Sequence, residues 1–167
     1  MLRFLAPRVV AAARRVQGPK VARAMCSKSL EGTKTLQNLK DAFAGECMAK
    51  ARYEYFAQRA DVEGYTEIAA AFRQVAQSEE GQALGHLEFL QEIGDPVSNQ
   101  PFGSTIDNLN AAIIGENHDG NTMYPEFAKV ARQEGFEDVA NWFETLAEAE
   151  RIQLRRFQRA VENIGDA

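Results

Sequence analysis

Apolar residues return at intervals of three and four along most of this chain, as in Leu39, Phe43 and Met48, and again in Ile68, Phe72 and Val75. That spacing is the period of an amphipathic helix. No stretch alternates apolar and polar residues as a half-buried strand does. The pattern predicts four long helices, over about 35–61, 65–93, 105–132 and 136–164. Gly64 and Gly135 stand just past the first helix of each pair, where a left-handed residue ends a helix. Thr35 and Thr105 are the expected N-caps, because a threonine hydroxyl can accept from a free first-turn N–H.

The pattern is written twice. "NLKDAFAGE" (38–46) matches "NLNAAIIGE" (108–116) at an offset of 70, and "FAQRADVEGYTEIAAAF" (56–72) matches "FAKVARQEGFEDVANWF" (127–143) at an offset of 71. The extra residue lies between Glu116 and Phe127, where Pro125 interrupts a helical pattern and predicts a kink or a one-residue bulge. Four amphipathic helices in two repeated hairpins predict an all-α fold, a four-helix bundle. The one long connection, "GDPVSNQPFGS" (94–104), has two prolines and two glycines and cannot be helical. Its eleven residues extend to roughly 36 Å, against about 43 Å for a 29-residue helix. A crossover along the bundle is at the limit of reach. Exchange of hairpins between two subunits relieves it, so a homodimer is expected.

Composition changes this picture at one end only. The chain has 167 residues, 45% hydrophobic and 26% charged, which suits one soluble domain. Residues 1–28 carry seven cations and no acid; the other twelve cations share residues 29–167 with all 24 acids. An Arg-rich, acid-free, amphipathic leader predicts an organelle transit peptide, mitochondrial first and plastid second, with a disordered basic arm as the alternative. The leader's apolar run is broken by Arg3, Pro7 and Arg8, so no membrane span is expected. The acidity of residues 29–167 argues against nucleic acid as a partner. Cys26 and Cys47 make no disulfide framework, and Cys47 reads as a small buried hydrophobe on a helix.

Charge of one sign is also written into the helix faces. The first helix offers Glu46. The second offers Glu79 with Gln82 three residues on, the third Glu116 with Asp119, and the fourth Glu150 with Gln153. Residues three apart share a helix face. Single glutamates on two helices and Glu-x-x-ligand pairs on two others is the arrangement of bundle di-metal carboxylate sites. Five ionised carboxylates in one core repel strongly, and no basic residue occupies the same faces. Either two divalent cations or uptake of protons must relieve them. His86 stands two turns from Glu79, too far to join the same centre. His118 lies off the ligand face. Trp142, Phe72 and Phe143 read as core packing.

The landmarks "FAGE", "YFA", "EGY", "IAAAF", "GEN", "MYPEFAKVAR" and "WFETLAEAE" together resemble the rubrerythrin family of the ferritin-like superfamily, over about residues 35–164. The resemblance implies a ferritin-like four-helix bundle built from two repeated helical hairpins. It implies reduction of hydrogen peroxide at a pair of iron ions, with Glu46, Glu79, Glu116, Asp119 and Glu150 as ligands. Tyr53 and Tyr124 would then be tyrosines just behind those ligands. Asp119 is shorter than the family's usual glutamate, and Gln82 and Gln153 stand where the family has histidines. An amide oxygen is a harder, weaker ligand than an imidazole nitrogen, so the set leans from Fe²⁺ towards Mn²⁺. The family's usual rubredoxin domain needs cysteine pairs that these two cysteines do not provide, so electrons are expected from a separate donor protein. Two functions follow: a di-metal peroxidase, or a catalytically disabled, metal-free bundle serving as a structural or assembly subunit of a larger organellar complex.

Overall fold

The computed structural model describes residues 29–165, all of them helix, turn or loop. The segment 1–28 read as a transit peptide, with Cys26, lies outside the described residues. Helix α1 spans Lys34–Val62, α2 Thr66–Leu90, α3 Thr105–His118, α4 Tyr124–Gln133 and α5 Glu137–Gly165. A π-helical turn, Asp119–Met123, joins α3 to α4 and makes them one rod, so the fold is all-α with four rods.

Sequence accounts for the ends of these rods. Gly64 and Gly135 both take φ +86°. Tyr65 N donates to Ala60 O at 2.8 Å and Gly64 N to Asp61 O at 3.0 Å, and Phe136 and Gly135 repeat the pair on Ala131 and Arg132. This is the Schellman closure, which satisfies carbonyls that a helix end leaves free. The N-caps differ from expectation by a residue or two. Thr33, not Thr35, accepts from Leu36 N at 3.1 Å, and Ser104, not Thr105, accepts from Asp107 N at 3.2 Å. The second helix stops at Leu90 rather than 93, because Ile93 N and Gly94 N both turn back to Leu90 O. The bulge expected before Pro125 is the π turn: Tyr124 N bonds Asp119 O, five residues back. The extra residue absorbs the step in the repeat offset.

The rods pair as two antiparallel hairpins. In the first, α1 packs on α2; in the second, α3, the π turn and α4 pack on α5. Their seams are made of alanine. Ala57, Ala60, Ala69, Ala76 and Ala83 are buried in the first, and Ala128, Ala131, Ala140, Ala147 and Leu154 hold the same places in the second. Residues 69, 76 and 83 recur every seven, the spacing that keeps one edge of a helix against a neighbour. Small side chains let the backbones come close but bury little apolar area, each methyl or methylene contributing about 0.8 kcal/mol.

The larger apolar residues lie outside these seams. Met48 is 62% exposed and Trp142 58%, so Trp142 is not core within the chain. Cys47 is exposed as well, against its expected burial. The reason is the same throughout: neither α1 nor α2 packs against α3, α4 or α5. The chain supplies the four rods of a ferritin-like bundle as two separate hairpins.

Candidate metal centre

Each hairpin carries one half of the acidic set. Glu46 from α1 and Glu79 from α2 lie within hydrogen-bond reach. That shared bond, then burial, then the Glu46 charge raise the Glu79 carboxyl above its ordinary range. In the second hairpin, burial pushes Glu116 up to about 7, helped by a hydrogen bond with Glu150 and by the charges of Glu150 and Asp119. Two carboxylates this close cannot both ionise cheaply, which is why Glu79 and Glu116 are both raised. All five acids are half-buried.

The two glutamines behave differently. Gln153 Nε2 donates to Glu150 Oε2 at 2.7 Å, tying the amide to the acidic pair. Gln82 is exposed, and its Nε2 turns to Ser78 Oγ at 3.3 Å on its own helix. His118 Nδ1 lies 3.0 Å from Asp119 Oδ1 on the solvent side.

Behind each acidic pair stands an aromatic triad, and the two triads superpose by sequence offset. Tyr53 stacks on Phe72 with centroids 6.2 Å apart, and Phe56 meets Phe72 edge-on at 5.6 Å. Tyr124 stacks on Phe143 at 6.0 Å, and Phe127 meets Phe143 at 5.6 Å. Burial, then the charges of Glu150, Asp119 and Glu116, raise the Tyr124 hydroxyl above its usual range, which sets it beside all three acids. Phe72 packs on the buried alanine cluster, as expected of a core residue, and both phenylalanines also carry the tyrosines, a role not expected from the sequence. The offset of 71 that maps Tyr53 onto Tyr124 also maps Phe72 onto Phe143 and was the signal available. Arg151 was missed too. Its Nε donates to Gly120 O at 3.1 Å and to Asn121 Oδ1 at 3.2 Å, pinning the π turn to α5 next to Glu150.

A groove of 390 Å³, walled by Val97 and Phe102 of the connecting segment and by α3, opens on Glu116 and Asp119. The structure therefore brings Glu46 to Glu79, and Glu116 and Asp119 to Glu150 and Tyr124. It does not bring the two sets together. Among the described residues, no three His, Cys, Asp or Glu side chains are arranged to hold a metal ion. No helix among them is long and apolar enough to cross a membrane.

Comparison with known proteins adds an independent line. The rubrerythrin family matches residues 37–161. A rubrerythrin of Clostridium perfringens is 39% identical over 145 residues, 82% of this chain and 74% of that protein. A rubrerythrin of Nitratidesulfovibrio vulgaris is 40% identical over 142 residues, 82% of this chain and 74% of that protein. The solved structure of fully reduced, all-ferrous nigerythrin is 29% identical, with a TM-score of 0.39 over 92% of this chain and 81% of that one.

Proposed function

We propose, from the premise that this chain belongs to the rubrerythrin family of di-iron proteins, that it reduces hydrogen peroxide at a non-haem di-metal centre with electrons from a separate donor protein. The observation that carries this reading is the close pair of carboxyl groups on each hairpin, Glu46 with Glu79 and Glu116 with Glu150. Acids held this close store repulsion that a divalent cation relieves. The donor set is carboxylate and amide oxygen, which suits Fe²⁺ and still better Mn²⁺. The donor types thus suit a metal pair, although the two hairpins of this structure hold them apart.

In this reading Glu46, Glu79, Glu116, Asp119 and Glu150 would hold the metal pair. Gln153, bonded to Glu150, presents its amide as a weak ligand or as a hydrogen-bond donor. Gln82 reaches the centre only after leaving Ser78. Tyr53 and Tyr124, braced by Phe72 and Phe143, orient the carboxylates. A bound metal pair would supply the redox chemistry, passing two donor electrons to each peroxide. Two protons are also needed to make two waters from peroxide. For delivery, the Arg-rich residues 1–28 support an organelle, the mitochondrion before the plastid, and a fluorescent fusion of that segment tests it.

Anaerobic titration with Fe²⁺ and with Mn²⁺, followed by peroxide turnover with a reduced donor, tests the function. We expect stoichiometric uptake, lost in Glu79→Gln. The double variant Gln82→His/Gln153→His should bind Fe²⁺ about tenfold tighter or more, about 1.4 kcal/mol, with little change for Mn²⁺. No uptake of either ion by the natural chain would leave the disabled, metal-free bundle as the reading.

A further inference from the structure

We infer that Arg151 is a positioning residue for the acidic centre: with Gly120 it draws the π turn against α5, so that Asp119 meets the Glu116–Glu150 pair in spite of its short side chain. What the acids hold rests on the di-metal reading above; where Arg151 places them does not.

The need for a donor at this point lies in the backbone. In an α-helix the carbonyl of Gly120 would accept from Tyr124 N, but in the π turn Tyr124 N bonds Asp119 O instead. The next residue is Pro125, which has no N–H to offer. Gly120 O is therefore without a helical donor four residues on or five. Gly120 is buried, and a buried carbonyl left unpaired is costly. Arg151 Nε, from the facing helix, supplies the bond at 3.1 Å and also reaches Asn121 Oδ1 at 3.2 Å. Asn121 Nδ2 donates in turn to Asn117 Oδ1 at 3.0 Å, one turn back on α3. On the other side Arg151 Nη1 donates to Glu148 Oε2 at 2.8 Å, on its own helix. The guanidinium is held from both helices, and so ties one to the other.

Gly120 allows the turn to come this close. A Cβ there would stand 3.1 Å from Ala147 O and from Arg151 N, both backbone atoms of α5. Ala147 is only 2% exposed, so the seam has no room to widen. Asp119 is bonded to Gly120 and Glu150 to Arg151, so this contact sets how far apart the two acids stand. Asp119 is the one aspartate in a set of glutamates. Its carboxylate stops about 1.5 Å, one C–C bond, nearer its own backbone. The short acid still acts on its neighbours: its charge raises both the Glu116 carboxyl and the Tyr124 hydroxyl.

The first hairpin provides the contrast. There α1 is an unbroken α-helix over Lys34–Val62. The residue three after Glu46 is Ala49, which is no acid. Glu80 takes the place of Arg151 and pairs with Lys50 at 2.8 Å. The arginine, the π turn and the short acid occur together, in the second hairpin.

The test titrates the full-length natural chain and its variants anaerobically with Mn²⁺ and with Fe²⁺, and unfolds the metal-free forms in urea. Arg151→Ala should weaken binding of both ions about 10–100-fold, the usual loss when a group that orients a ligand is removed. Arg151→Gln keeps a donor nitrogen where Nε stood and should bind close to the natural chain. Adding Asp119→Glu to Arg151→Ala returns the missing length. It should recover most of the affinity while leaving the urea midpoint where Arg151→Ala put it. In the natural background Asp119→Glu should bring no gain. A merely structural arginine would lower the urea midpoint with affinity unmoved, or lose affinity that Asp119→Glu fails to recover; either result overturns the inference. Should Arg151→Ala not fold, Gly120→Ala, which pushes the turn outward, replaces it with the same expectations. A natural chain that takes up neither ion defeats the di-metal reading, and the placement is then read from crystal structures of the metal-free chains. The Asp119 and Glu150 carboxyls should lie farther apart in Arg151→Ala by roughly the 1.5 Å of one bond; an unchanged separation overturns the inference.

Discussion

Glu116 shows how much one side chain of the centre depends on its neighbours. Its carboxyl sits at about 7 against an ordinary 4.5, because burial and the Glu150 carboxyl both favour its neutral form. In the metal-free protein the folded state therefore keeps a proton that the unfolded chain releases between about pH 4.5 and 7. A folded state that binds more protons loses stability as pH rises. Metal-free protein should be most resistant to urea near pH 5, less so at 6, and flat above about 7.5. Glu79, raised in the same direction, adds to the slope. Glu144 and Glu148, held low by Arg132 and by Arg151 with Arg155, act with the opposite sign and only below about 4.5. Urea midpoints of the natural chain and of Glu116→Gln across pH 5–8 check this; the variant should show the shallower slope, and an equal slope would count against the shared proton. The four glutamates of the centre were legible in the sequence, because the duplication maps Glu46 onto Glu116 and Glu79 onto Glu150. Their coupling was not. It depends on half-burial and on whether Gln82 or Gln153 faces the acids, and rotamers leave no trace in spacing.

At the scale of elements, duplication reaches further than motif matching suggests. Asp61 pairs with Arg73 in the first hairpin, and at the matching positions of the second Arg132 pairs with Glu144 at 2.8 Å, with the signs reversed. Lys50 meets Glu80 at 2.8 Å, and the equivalents Asn121 and Arg151 meet at 3.2 Å. Exposed pairs of this kind contribute about 0–1 kcal/mol each, so they trim the hairpins rather than hold them. What holds them is close approach along alanine, and it is closest at the π turn. A Cβ on Gly120 would stand 3.1 Å from Ala147 O and from the Arg151 backbone N, and backbone cannot swing aside. Gly120→Ala should cost about 1–3 kcal/mol and break the Arg151 bond to Gly120 O. Gly45 has open space around it, so Gly45→Ala is the control, neutral or slightly stabilising. Urea unfolding of both variants measures the difference. The helices, both Schellman glycines and the one-residue bulge before Pro125 were legible because each is local chemistry. The alanine seam was passed over because periodicity weighs large apolar residues most heavily, and here those mark the outer face, not the seam.

For the whole molecule, the connecting segment decides which surfaces meet. Counting residues showed a crossover at the limit of reach, and that limit assumes full extension. Asp95, Ser98 and Asn99 instead fold the segment into a turn, a choice made by side-chain acceptors and a positive φ that counting does not register. A turn keeps the two hairpins of one chain apart and leaves the acid-bearing stripes on both uncovered within it. Chain length should then control oligomeric state without touching either half of the centre. Replacing Asp95–Gln100 by about sixteen residues of Gly and Ser frees the turn and lets the connection span the roughly 37 Å of α2. Because loop closure grows only logarithmically with length, about 0.6 kcal/mol per doubling, the intramolecular bundle should compete well. The expected product is a monomer by sedimentation with the same metal content per chain as the natural protein. A lengthened chain that stays dimeric at low micromolar concentration would place the driving force for association elsewhere than in the turn.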